Sequence, residues 1–171
     1  MSRLIPLSKG YEAIVDDADF DMLSKHRWSA TVEYHSDGLV QQIYAIRWTR
    51  RYPNNARYHQ MMHRFILGLS KGEKCDHINH DGLDNRRHNL RVCSTTQNAQ
   101  NKRWSPRLKT SQFKGVSRDK FNGVWKAHIQ VNGQPYDLGR FQSEVAAAQA
   151  YNVAALQAFG AFAFVNSLEA V

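Results

Sequence analysis

Nowhere in its 171 residues does this chain hold a run of 18 apolar side chains, so no segment has the make-up of a membrane-spanning helix. Its opening, MSRLIPLSKGYEAIV, lacks the apolar core and small-residue cleavage site of a secretory signal. Cysteine is scarce. Cys75 and Cys93 are too few for a disulfide scaffold and lack the paired CxxC spacing of a zinc site. These absences predict reduced thiols in a cytoplasm, expected to be that of a bacterial host cell.

Acids are in short supply as well. The 15 Asp and Glu face 23 Lys and Arg, which leaves a net charge of +8 and a pI near 9.7. The excess is uneven: Lys102, Arg103, Arg107, Lys109 and Lys114 follow Asn101 with no acid among them. A solvated linker can have this composition, and so can a footprint for a polyanion. The length suits one ordinary domain or two small ones.

Short β-like runs fill residues 1–58: Arg3–Leu7, Glu12–Val15, Trp28–Tyr34 and the partly alternating Val40–Trp48. Gly10, the acidic cluster Asp16–Asp21 and the turn Ser36-Asp37-Gly38 punctuate them, and Asp19–His26 can form one or two helical turns. No constellation in this N-terminal β-rich region carries chemistry. His59 to Leu69 then reads as a short helix with His59 and His63 on one face. Gln60 stands where a zinc protease needs its general-base Glu, which removes that reading.

The stretch CDHINHDGLDNRRHNLRVCSTTQNAQNK, Cys75–Lys102, is the most informative. Lys74–Ile78 is a plausible strand carrying Asp76 and His77, Asp81-Gly82 a turn, and Leu90–Cys93 a second strand. Ser94 or Thr95 can cap a helix running through Asn98. Hard divalent cations prefer oxygen ligands, which Asp76 and Asn98 offer, and a neutral imidazole such as His77 can deprotonate water. Asn89 can brace the loop through backbone hydrogen bonds. His80 remains a rival for the base.

This segment resembles the ββα-metal motif of HNH endonucleases, notably the phage and intron-encoded homing type, and MMHRFILGL resembles the helix that leads into it. The resemblance implies His77 as general base, Asn89 as loop support, and Asp76 with Asn98 holding Mg²⁺ or Mn²⁺ during hydrolysis of a DNA phosphodiester. Arg86, Arg87 and Arg91 are expected to clamp neighbouring phosphates.

Residues 113–141 alternate. Trp125, Ala127, Ile129 and Val131 point one way and Lys126, His128 and Gln130 the other, with Asn132-Gly133 as a hairpin turn. Ser143 caps the Ala-rich helix EVAAAQAYNVAALQAF, which Gly160 closes. The module resembles the plant APETALA (ethylene-response-factor) DNA-binding domain in KGVSRD, GVWKAHI, LGRF, the Ala-rich helix and Asn166. That resemblance implies that the sheet reads the major groove through Lys114, Ser117, Arg118, Lys120, His128, Gln130 and Arg140; alternation adds Lys126. Ser117, His128 and Gln130 depart from the plant pattern, so a different DNA sequence is expected.

The expected fold is α+β: an N-terminal β-rich region (1–58), an HNH ββα-metal motif (59–102), a basic linker (103–111) and a three-stranded antiparallel sheet packed on one helix (112–171), with Lys102 and Arg103 at the motif–linker junction expected on DNA. The expected partner is double-stranded DNA, with no membrane and no small-molecule cofactor. A non-cleaving DNA-binding regulator is the rival, and a structure-selective repair or recombination nuclease a third reading.

Overall fold

Apolar runs too short for helices, broken by turn residues, make strands of most of the first half. The protein is described by a computed structural model at residues 1–35, 38–51, 56–102 and 110–168. Arg103, the rest of 103–109 and the Ser36-Asp37 part of the expected turn lie outside the described residues. Two compact units emerge, Met1–Thr95 and Thr96–Val171. The architecture is mixed α and β, with small antiparallel sheets and few helices. No described helix is long and apolar enough to cross a membrane.

In the first unit β1 (Ser2–Pro6) pairs antiparallel with β2 (Glu12–Asp16), and α1 (Asp17–Ser24) follows at once. A second sheet has the order β3 (Ser29–Tyr34), β4 (Val40–Arg51), β5 (Ala56–Met61). Then come the short helix α2 (Met62–Ile66) and the ribbon of β6 (Lys74–His77) with β7 (Leu90–Cys93). Ile5, Val15, Leu23, Trp28, Ala45, Met62, Ile66 and Leu90 form one buried core. That core draws on residues from both sides of position 58.

The expected helix from His59 to Leu69 is shorter than the sequence suggests. Residues through Met61 belong to β5, because their backbone groups pair with Ile46–Arg51 on β4. Cross-strand pairing overrides the local pattern. His59 therefore shares no helix face with His63.

The second unit begins on α3 (Thr95–Asn101) and holds a sheet of order β10 (Gln134–Phe141), β9 (Trp125–Val131), β8 (Val116–Arg118). Asn132 (φ 52°) and Gly133 (φ 83°) both adopt positive φ, as a twist-matched two-residue hairpin requires. The helix α4 (Glu144–Phe159) starts where the Ser143 Oγ accepts the Ala146 N–H at 3.1 Å. Its fully buried Ala147, Ala148 and Ala155 let it lie close on Ala127 and Ile129 of β9. β8 begins only at Val116, because Gly115 (φ 75°) turns the chain just before it. A Cβ there would fall 2.0 Å from Tyr151 Cδ2, so only glycine admits this ring.

Candidate functional site

His77 ends β6, facing Leu90 in register, and is 6% exposed. Its ring meets two others: His63 edge-to-face at 4.8 Å between centroids, and Tyr44 at 5.9 Å. Burial lowers the His77 pKa from its ordinary 6.5, against the opposing pull of Asn85 and of Asp81, Asp76 and Asp84. His77 is thus a neutral imidazole at pH 7. Burial also drives His63 down to about 3, and its Nδ1 has no hydrogen-bond partner.

Asn85 was not foreseen from the sequence. It is completely buried, and its amide nitrogen donates to Leu83 O at 3.1 Å and Gly82 O at 3.4 Å. That orientation turns Oδ1 towards His77 Nε2 at 3.4 Å. An acceptor there assigns the proton to Nε2 and the lone pair to Nδ1, the atom suited to act as a base.

The loop around these residues is densely bonded. Asn89 accepts the Asn79 N–H through Oδ1 at 3.0 Å and donates to Asn79 Oδ1 and Asp84 O at 2.9 and 2.8 Å. Asn89 is therefore placed as a brace. The N-terminal β region, which showed no chemistry in the sequence, clasps the same loop: Ile14 N donates to Leu83 O at 2.8 Å and accepts Asn85 N–H through its carbonyl at 2.7 Å. Gly82 lies where a Cβ would fall 2.2 Å from Ile43 O, which brings the loop hard against β4. His80 has φ 61°, and its carbonyl accepts from Gln42 Nε2 at 2.9 Å.

Asp76, 8% exposed, faces Arg91 across the ribbon and receives Nε at 2.7 Å and Nη2 at 3.0 Å. The donor chemistry fits a hard divalent ion. Among the described residues no group of three or more His, Cys, Asp and Glu converges as a metal cage. Asn98 stands exposed on α3, in the second unit. Cys75 and Cys93 are free thiols, and burial raises both pKa values, Cys75 to about 11.

The three arginines expected on phosphates each hold a carboxylate. Arg86 binds Asp84 at 2.7 Å through both Nε and Nη2, Arg87 binds Asp19 at 2.8 and 2.7 Å, and Arg91 binds Asp76. Asp84 and Asp19 are buried, so these pairs fix the loop to itself and to α1.

In the second unit the strand register aligns Ser117, Lys126 and Arg140 in one row, with His128 and Gln130 further along the same face of β9. His128, Gln130 and Arg140 are exposed. Lys126 pairs with the buried Asp119 at 2.6 Å, and its ammonium holds that carboxyl down to about 2. Lys120 is exposed in the turn after β8. Two expected contacts differ from the reading face. Arg118, two residues after buried Val116, lies on the same side of β8 as that residue, and its guanidinium lies 5.7 Å from the Trp125 ring centroid. Lys114 is half-buried, its Nζ donating to Gln100 O at 2.9 Å and Lys102 O at 3.0 Å, and burial lowers its pKa to about 8. Asn166 brackets Lys114, accepting its N–H at 2.7 Å and donating to its carbonyl at 3.1 Å. Asn152 on α4 ties in the same asparagine.

Similar proteins match both segments. An uncharacterized HNH endonuclease of Acanthamoeba polyphaga mimivirus is 36% identical over 114 residues, covering 63% of this chain and 58% of the viral protein. An AP2-like ethylene-responsive transcription factor of Arabidopsis thaliana is 38% identical over 71 residues, 42% of this chain and 15% of its own length. An APETALA2-like protein of Oryza sativa is 38% identical over 68 residues, 40% of this chain and 16% of its own. This chain joins an HNH-like segment to an AP2-like one. It spans about 58% of the viral relative and far less of the plant ones. No family model and no solved structure matches it. These relatives come from a virus and plants, which lends no support to a bacterial host.

Proposed function

We propose that the chain is a metal-dependent DNA endonuclease of the HNH homing type, which hydrolyses phosphodiester bonds at a site read by its AP2-like sheet. The observation that carries this reading is His77: an imidazole held neutral by burial, with its tautomer set by Asn85, next in sequence to the buried carboxylate of Asp76. The HNH and AP2-like relatives support it from outside the site.

In this mechanism His77 Nδ1 takes a proton from water as the water oxygen attacks phosphorus. The P–O3′ bond breaks, and the 3′ oxygen leaves with the bonding pair and takes a proton from solvent water to become a hydroxyl, opposite a 5′-phosphate. Asp76 and Asn98 would hold a divalent ion, Mg²⁺ or Mn²⁺, whose charge offsets the negative charge building on the phosphate and the leaving oxygen. Asn89 keeps the loop that carries His77 from opening. Arg86, Arg87 and Arg91 shape the site through their carboxylates and are proposed to contact neighbouring phosphates as well. Ser117, Lys126, His128, Gln130 and Arg140 are assigned to the reading face, and Lys102, Arg103, Lys114, Arg118 and Lys120 are assigned to further DNA contact.

Supercoiled plasmid containing a candidate target, incubated with Mg²⁺, with EDTA and with His77→Ala, tests the proposal. Metal-dependent conversion to open-circle or linear DNA is expected. His77→Ala should slow it by roughly 10²–10⁴, the contribution of a positioned general base, with DNA binding retained. Tight, salt-sensitive binding with no cleavage would favour the non-cleaving regulator.

A further inference from the structure

The sheet of the first unit has a half that no third strand covers. β3 pairs with β4 only as far as Ile46, while β5 pairs with β4 from Ile46 to Arg51. What remains is a two-stranded ribbon with two unlike faces. Arg47 lies on the inward side, its guanidinium 4.1 Å from the Phe65 ring centroid and 5.5 Å from that of Trp28, with Gln60 accepting from its Nε at 2.9 Å. The other side carries Trp48 and Arg50 on β4, opposite His59 and Arg57 on β5.

That outward face is built like a ligand surface. Trp48 is 55% exposed, flanked by the His59 ring at 5.8 Å and the Arg57 guanidinium at 5.1 Å. Arg50, Arg57 and His59 are exposed. Arg50 and Arg57 stand directly opposite each other, an arrangement of like charges that weakens an isolated ribbon. Neither is paired with a carboxylate among the described residues, whereas Arg86, Arg87 and Arg91 all are. The sequence from Gly38 to Gly72 contains no acid and includes Arg47, Arg50, Arg51, Arg57, Arg64 and Lys71. A polyanion relieves the Arg50–Arg57 repulsion, and a two-stranded ribbon fits the major groove of B-form DNA.

We propose that the Trp48–Arg50–Arg57–His59 face of the β4–β5 ribbon is a further binding surface for duplex DNA, with Arg50 and Arg57 on phosphates and Trp48 laid along the groove wall. The proposal rests on the endonuclease reading for its choice of polyanion. It gives the N-terminal β region a second task besides bracing the catalytic loop.

The test is fluorescence anisotropy of a labelled DNA duplex in EDTA, where nothing is cut, across a salt series. Each phosphate that goes without its cation flattens the slope of log K against log salt by about 0.9, so Arg50→Ala with Arg57→Ala should flatten it by about 2 and weaken binding at 0.1 M salt by roughly tenfold or more. Arg50→Lys with Arg57→Lys should keep the slope, and Lys9→Ala with Lys25→Ala, exposed cations elsewhere in the unit, should leave it unchanged. Circular dichroism checks that each variant folds. If the alanine pair folds and keeps both slope and affinity, the ribbon proposal is overturned while the endonuclease reading stands. An equal loss in the Lys9/Lys25 pair would also overturn it, by showing that net charge rather than this face is felt. If the unaltered protein binds no duplex at all, the endonuclease reading falls, and the ribbon proposal with it.

Discussion

Asn85 controls whether His77 can serve as a base. Its amide nitrogen is committed to two carbonyls, so its Oδ1 can only accept from His77 Nε2. The bond favours the charged imidazolium and so works against burial, which lowers the pKa. Removing it with Asn85→Ala should lower the His77 pKa further, moving the acid limb of the pH–rate profile to lower pH. The plateau rate should still fall, by roughly 10–100-fold, because the ring is no longer oriented. Asn85→Asp acts the other way. A carboxylate beside the imidazole stabilises the cation, raises the pKa and moves the acid limb to higher pH, so activity at pH 6 drops more than at pH 8. An NMR titration of His77 in both variants reads the same shifts without any turnover. Titrations that stay put in both would remove Asn85 from this role.

Between one element and the next, glycine decides two close approaches. At Gly115 a Cβ would meet Tyr151 at 2.0 Å and the His128 carbonyl at 2.7 Å, in a residue whose φ of 75° already disfavours any side chain. Gly115→Ala should lower the stability of the second unit by on the order of 2–3 kcal/mol or more, from overpacking and left-handed strain together. Thermal unfolding followed by circular dichroism measures it, and an unchanged midpoint would mean that α4 and β8 do not approach so closely. Neighbouring elements show what could be read in advance. The β9–β10 hairpin and α4 were legible because a period of two, an Asn-Gly turn and a Ser cap are local signals. The β4–β5 ribbon was legible only in part: the expected strand stopped at Trp48 and His59–Gln60 were expected in a helix, because each strand finds its backbone partners only on the other. In the candidate site, Asp76, His77 and Asn89 are proposed from the order of their side-chain chemistries. Asn85, Tyr44 and His63 could not be named in that way, since their roles come from rings and amides that meet only after β4, α2 and the loop have folded together. The carboxylates of Asp19 and Asp84 were equally hidden, so the pairing of Arg86 and Arg87 within the first unit could not be read from the sequence.

A nuclease with a single catalytic constellation has little means of choosing its target, because contacts to the phosphate backbone position a protein without carrying sequence information. The exposed row of His128, Gln130 and Arg140 supplies hydrogen-bonding groups of the kind that distinguish base edges. Tethering such a reader to a cutter raises the local concentration of scissile bonds near the preferred sequence without altering the chemical step. On the proposed endonuclease reading, reading and cutting should therefore separate in the 171-residue chain. His128→Ala, Gln130→Ala and Arg140→Ala combined should weaken binding at a preferred duplex, selected from a randomised library, by about 1–3 kcal/mol for each base edge that is no longer read. Binding to unrelated duplex should change much less, with a salt slope flatter by only about 1 if Arg140 also touches phosphate. Single-turnover cleavage of saturated DNA should keep its rate, since His77, Asn85 and Asp76 are untouched. A triple variant that retained its full preference would place sequence reading on another surface, and one whose single-turnover rate collapsed would tie the sheet to the chemistry itself.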